Sequence, residues 1–107
     1  MISVLQFDVG DDEVGFVERM RVALRVLAER QGYVWGSAGR STDDPNRWVL
    51  VTQWRNVGSY RRALGGYEVK LYATPLLAQA IDLPSAFESL LVAEPGAEPT
   101  SSASDRD

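Results

Sequence analysis

This chain of 107 residues contains no cysteine and no histidine. Without cysteine it can form no disulfide, no thiol nucleophile and no thiolate metal site. Without histidine it lacks the commonest general base, the commonest metal ligand and the usual haem ligand together. No apolar run approaches the roughly 20 residues that a membrane-spanning helix needs. No run of five or more Lys or Arg occurs, and 11 basic against 15 acidic residues leave a net charge of -4, which argues against a nucleic-acid partner. The opening Met1-Ile2-Ser3-Val4 carries no basic leader and is already strand-like, so a cytoplasmic location is the expectation.

What is there is an ordinary soluble composition, 45% hydrophobic and 24% charged, of a size that makes one domain. Its most informative stretch is Arg47 to Arg55, followed by Asn56-Val57-Gly58-Ser59-Tyr60. β-branched and aromatic residues dominate it, with no Gly or Pro inside, as a strand buried on both faces requires. Alternation puts Trp48, Leu50, Thr52 and Trp54 on one face and Val49, Val51, Gln53 and Arg55 on the other. Neither is clearly a solvent face.

Ile2 to Val9 reads as a first strand ended by Gly10. Asp11 or Asp12 caps a helix that starts near Glu13 and runs to Gln31, with Phe16, Met20, Ala23, Leu24 and Leu27 as its apolar stripe, widened by Val17 and Ala28. Gly32 is its C-cap. Tyr33 to Arg40 is a second strand, whose Gly36 and Gly39 imply a bulge or a close approach. Ser41 to Asn46 turns it into the third strand as a hairpin. Asn56 caps a second helix bearing Val57, Tyr60 and Leu64, which Gly65-Gly66 breaks. A further helical piece runs from about Tyr67 to Ala80 and restarts at Pro75. Ala86 to Ala93 is the last strand. Residues 94–107, with four acids against one arginine, form an expected disordered tail and leave the body, residues 1–93, near a charge of -1.

The order β-α-β-β-α-β is the ferredoxin-like α+β arrangement, a four-stranded antiparallel sheet with both helices on one face. The other face stays bare and apolar, so a homodimer through the sheet face is expected.

Val51-Thr52-Gln53-Trp54-Arg55, then Ser59-Tyr60-Arg61, then Pro75-Leu76-Leu77 carry a resemblance. Over roughly residues 2 to 93 the chain resembles the antibiotic biosynthesis monooxygenase family of dimeric α+β barrels. That resemblance implies a cofactor-independent oxidation of a small aromatic or polyketide-like molecule by molecular oxygen, with no metal, flavin or haem. A deprotonated, electron-rich phenol reduces oxygen itself, and the protein binds, orients and stabilises the anion. The resemblance implies Trp54 and Tyr60, six positions apart, as the catalytic pair. It matches the position of a strand amide, four residues before the Trp, to Leu50, which has no polar group. A haem-degrading branch of the fold uses an axial histidine, which this chain lacks.

Trp35, Leu50, Tyr67 and Tyr72 are the expected pocket residues. Trp35 and Tyr33 flank a cavity beside Gly36 or else anchor the dimer interface. Tyr67 and Tyr72 stand at the helix break, where a pocket mouth would lie. Arg40 and Arg55 are possible phenolate partners, and Asp8 a base if buried. The alternative is a non-catalytic dimeric binding or structural protein whose aromatics fill core and interface.

Overall fold

A computed structural model describes residues 1–103. The chain runs β1 (Ile2–Asp8), α1 (Glu13–Ala28), β2 (Tyr33–Arg40), β3 (Arg47–Trp54), α2 (Val57–Leu64), α3 (Tyr67–Tyr72), α4 (Thr74–Leu77), β4 (Ala86–Phe87), β5 (Leu91–Val92) and β6 (Thr100–Ser101). Four strands form an antiparallel sheet in the order β2-β3-β1-β4, the ferredoxin-like topology. The two long central strands pair from Ile2↔Gln53 to Asp8↔Arg47, and Arg47 Nε donates to Asp8 Oδ1 at the end of that ladder, 3.0 Å away.

The local signals act as their chemistry dictates. Asp12 caps α1 by accepting from the Gly15 amide, and Asn56 caps α2 by accepting from the Ser59 amide. The α1 stripe buries Phe16, Met20, Ala23, Val26 and Leu27 against the inner face of the sheet. Phe7 meets Phe16 edge-on at 5.5 Å, and Phe16 meets Trp48 at 5.6 Å. Gly32, three residues beyond the C-cap at Glu29, takes φ 91°, and a Cβ there would overlap the Ser59 side chain. Glycine at 32 therefore sets how closely the α1–β2 turn packs on α2.

The strand β3 is covered on one side by helices. Leu50, Thr52 and Trp54 are buried on that inner face, whereas Val49 and Val51 are half-buried and Gln53 is exposed on the outer one. No element among the described residues covers the outer face, where Val34, Trp35 and Phe87 are all exposed.

Two expectations about the C-terminal part are corrected. The last strand does not run from Ala86 to Ala93: only Ala86–Phe87 joins the sheet, beside Ser3 and Ile2. The chain before it already lines the edge of β1, with Ile81 N–H donating to Gln6 O at 2.8 Å and Val4 N–H to Ser85 O at 2.7 Å. Pro84 lies between those bonds and has no N–H to continue a ladder, so regular pairing is confined to two residues. Leu91–Val92 instead pairs with Thr100–Ser101, inside the stretch expected to be a disordered tail. The last four residues of that tail, 104–107, lie outside the described residues.

Candidate functional site

On the inner face the sheet changes character from centre to edge. Towards the centre, β1 and β3 present Phe7, Leu50 and Trp54, each about 1% exposed. Towards the edge, β2 presents Gly36 and Ala38 at positions that pair with Thr52 and Leu50. Small side chains on an edge strand leave volume beneath α1 that the helix does not fill. The result is a cleft of about 550 Å³ along the flank of α1 and the inner face of β2 and β3, lined chiefly by Val17, Met20, Leu24, Tyr33, Ala38 and Trp48. Arg21 and Arg25 of α1 form its charged rim.

Tyr33 is the residue that joins this cleft to the closed interior. Its ring packs edge-on to Trp54 at 5.4 Å, and Trp54 in turn meets Tyr60 at 5.6 Å. The Tyr33 hydroxyl lies directly over Gly36, where a Cβ would overlap it and would also come within 3.1 Å of Leu24 Cδ1. Gly36 is thus a close-approach glycine, and the space it leaves is occupied by a phenol. Burial pushes the Tyr33 pKa above its ordinary value, which keeps the hydroxyl protonated and able to donate.

A bulge decides which aromatics reach this place. Tyr33 pairs with Trp54 and Trp35 with Gln53, so one extra residue, Val34, is taken up on β2. That insertion reverses the alternation. Tyr33 turns inward, and Trp35 turns outward opposite exposed Gln53, with 54% of its own surface exposed. Strict alternation keeps the two on one face, so Trp35 flanking the same cavity as Tyr33 is corrected.

The structure brings Trp54 and Tyr60 into ring contact; Trp54 and Leu50 are buried and Tyr60 is half-buried. Trp54 Nε1 donates to Thr52 Oγ1 at 2.8 Å, and Tyr60 OH shares a hydrogen bond with Ser3 Oγ at 3.2 Å. None of the three lines the cleft. Tyr67 and Tyr72 lie exposed on α3, away from it. Asp8 is exposed and paired with Arg47, Arg40 pairs with Glu13 at 2.9 Å, and Arg55 is exposed.

Two lining residues have a chemical character that sequence reasoning left unused. Trp48 Nε1 is buried without a hydrogen-bond partner among the described residues, an uncommon state for an indole. Arg21 and Arg25 stand one helical turn apart on the same side of the opening. The signal available in the sequence was the pairing of small Gly36 and Ala38 with a helix whose apolar stripe is bordered by two arginines. No group of acidic side chains among the described residues is arranged to hold a metal ion.

No protein-family model matches the chain, and no curated protein matches it by sequence. Solved structures do. The cofactor-independent oxygenase SnoaB from Streptomyces nogalater is 25% identical with a TM-score of 0.66, over 83% of this chain and 94% of that one. A candidate antibiotic biosynthesis monooxygenase from Nitrosomonas europaea superposes with a TM-score of 0.65 at 17% identity, over 83% of this chain and 97% of that one. A conserved protein from Methanosarcina mazei Go1 gives the same TM-score of 0.65 at 16% identity, over 79% of this chain and 84% of that one. The chain has the α+β fold of antibiotic biosynthesis monooxygenases. Several of the proteins that share this fold are oxygenases or candidate monooxygenases.

Proposed function

We propose that this protein is a cofactor-independent monooxygenase that oxidises a small aromatic or polyketide-like molecule in the cleft beneath α1. One observation carries the reading: an apolar cleft of about 550 Å³ whose lining includes both Tyr33 and Trp48. That volume and composition suit one flat, multi-ring molecule.

For an anthrone-like substrate the reaction balances without a cofactor. The enol form releases its proton to water at the open side of the cleft, and the electron-rich anion that remains reduces molecular oxygen. One oxygen atom becomes the new carbonyl, the other leaves as water with the two methylene hydrogens, and all four electrons taken up by the oxygen molecule come from the methylene carbon as it becomes the carbonyl. The protein contributes binding, exclusion of water and stabilisation of the anion. The protonated Tyr33 hydroxyl donates to the developing oxyanion. Trp54 and Tyr60, behind it, hold the Tyr33 ring at its angle. The bare outer face, with Trp35, Val49, Val51 and Phe87, pairs with a second copy of the chain.

The Trp54–Tyr60 pair, which lies outside the cleft lining, favours a second reading, a dimeric protein that binds an aromatic molecule without transforming it. Oxygen uptake separates the two. With an anthrone, uptake that withstands a chelator and falls in both Tyr33→Phe and Ala38→Leu supports the oxygenase. Binding without uptake across a panel of anthrones and phenols supports the binding protein.

A further inference from the structure

The charged side chains facing the cleft have one sign. Arg21 and Arg25 line it, and no carboxylate does. The body of the chain is close to neutral, so this is a local feature and not the echo of a basic protein. Arg21 is shared with Glu18 at 3.4 Å, with both side chains largely exposed, an ion pair of the weak surface kind. Arg25 has no ion-pair partner among the described residues. Arg19, Arg40 and Arg47 are paired with Asp12, Glu13 and Asp8, whereas Arg30, Arg55 and Arg61, like Arg25, have no ion-pair partner among the described residues; what sets Arg25 apart is its place in the lining of the cleft. An unmatched guanidinium therefore stands where an apolar cleft opens.

We infer that the cleft selects an aromatic ligand carrying an acidic group, with Arg25 gripping the acid at the rim while the rings lie inside against Tyr33, Ala38 and Trp48. This rests on the proposed function, because it takes the cleft as the substrate site and names the class of substrate. The geometry separates two tasks. The apolar lining accepts any flat ring system, whereas the guanidinium, planar and permanently charged, matches a carboxylate in a bidentate fork. Arg21, one turn earlier, raises the local potential and receives the acid when the ligand shifts along the helix. The rim is solvent-exposed, so the preference is modest, roughly fivefold to tenfold in affinity, and shrinks as salt is added.

The test is a calorimetric titration of the full chain with two probes that share a ring system, 2-naphthol and 3-hydroxy-2-naphthoate. The acid is expected to bind roughly fivefold to tenfold more tightly. Arg25→Gln should remove that advantage, so that the variant binds the two probes with equal affinity. Ala38→Leu, which fills the cleft floor, should weaken both probes. Equal affinities in the native chain, or an advantage that survives in the Arg25→Gln, Arg21→Gln double variant, overturns the acid preference and leaves the cleft reading standing. Binding of neither probe, or binding untouched by Ala38→Leu, overturns the cleft as the site and this inference with it.

Discussion

Two parts of one sheet face lie under the same helix and end up differently. Over β1 and β3 the interior is closed by Phe7, Leu50 and Trp54. Over β2 it is open at Ala38, whose small side chain stands where large ones stand elsewhere, while the space over Gly36 is taken by Tyr33. The helix itself is divided to suit: Phe16, Ala23 and Leu27 serve the closed part, Met20 reaches both, and Val17, Leu24, Arg21 and Arg25 border the open one. A cleft in a small domain thus comes from what an edge strand lacks. The aromatic pair singled out by spacing, Trp54 and Tyr60, belongs to the closed part, and chemistry at the open part falls to the neighbours Tyr33 and Trp48.

The largest test of this division is Trp54→Ala. If the interior there is as full as its burial implies, truncation should cost about 3–5 kcal/mol in urea unfolding, the range for a large buried aromatic. A loss below about 1 kcal/mol would mean that space already exists beside Trp54, and the division between closed and open would fail.

Gly32→Ala should follow, at about 2–3 kcal/mol. Its φ of 91° is costly for any residue with a Cβ, and the added carbon overlaps Ser59. Because Gly32 lies in the turn from α1 to β2, the strain acts on the spacing that sets the width of the cleft. Ser59→Gly in the same chain should restore part of the loss. No restoration would show that the backbone angle alone accounts for it.

A matched pair of insertions compares the regions directly. Ala23 is completely buried on the closed side, and Ala23→Leu should cost about 1–3 kcal/mol through overpacking. Ala38 faces the cleft, and Ala38→Leu should change stability by less than about 1 kcal/mol because the added carbons enter free volume. Equal costs at both positions would close the cleft.

How much of this was legible beforehand depends on whether a rule of alternation held. Along β3 the period of two is unbroken, and Trp48, Leu50, Thr52 and Trp54 share a face as their spacing requires. Both helix caps announce themselves, since Asp12 and Asn56 each precede a run of helical periodicity. On β2 a single extra residue reverses every assignment before it, and nothing in Tyr33-Val34-Trp35 marks Val34 as the extra one. That single slip turned Tyr33 inward, while Trp35, in phase with the rest of β2, stays on the outer face. The stretch Ala86 to Ala93 failed for a different reason. Its apolar run fits a strand, but pairing depends on which edge is still free, and residues 81–85 had already taken most of β1. The spacing of Trp54 and Tyr60 singles out two rings that meet at 5.6 Å, and it does not determine what else they meet. Whether such a pair meets solvent depends on Tyr33, which arrives from another strand.

Tyr33 marks the boundary between the two parts, and its titration gives the smallest and sharpest prediction. Burial raises its folded pKa above 10.0, so folding favours the neutral phenol. The sign follows from linkage: the unfolded chain releases this proton first as pH rises, and it then binds fewer protons than the folded one. The contribution is therefore fully present below about pH 10, the unfolded value, and is lost as pH rises through the folded pKa. The measurement is a difference between the native chain and Tyr33→Phe, which retains the other three tyrosines. Urea midpoints compared from about pH 9 upward should show a steeper decline in the native chain than in the variant. Parallel declines would put the Tyr33 hydroxyl in ordinary solvent contact. The open region would then reach as far as the Trp54 ring, and the pair Trp54 and Tyr60 would return to the cleft wall.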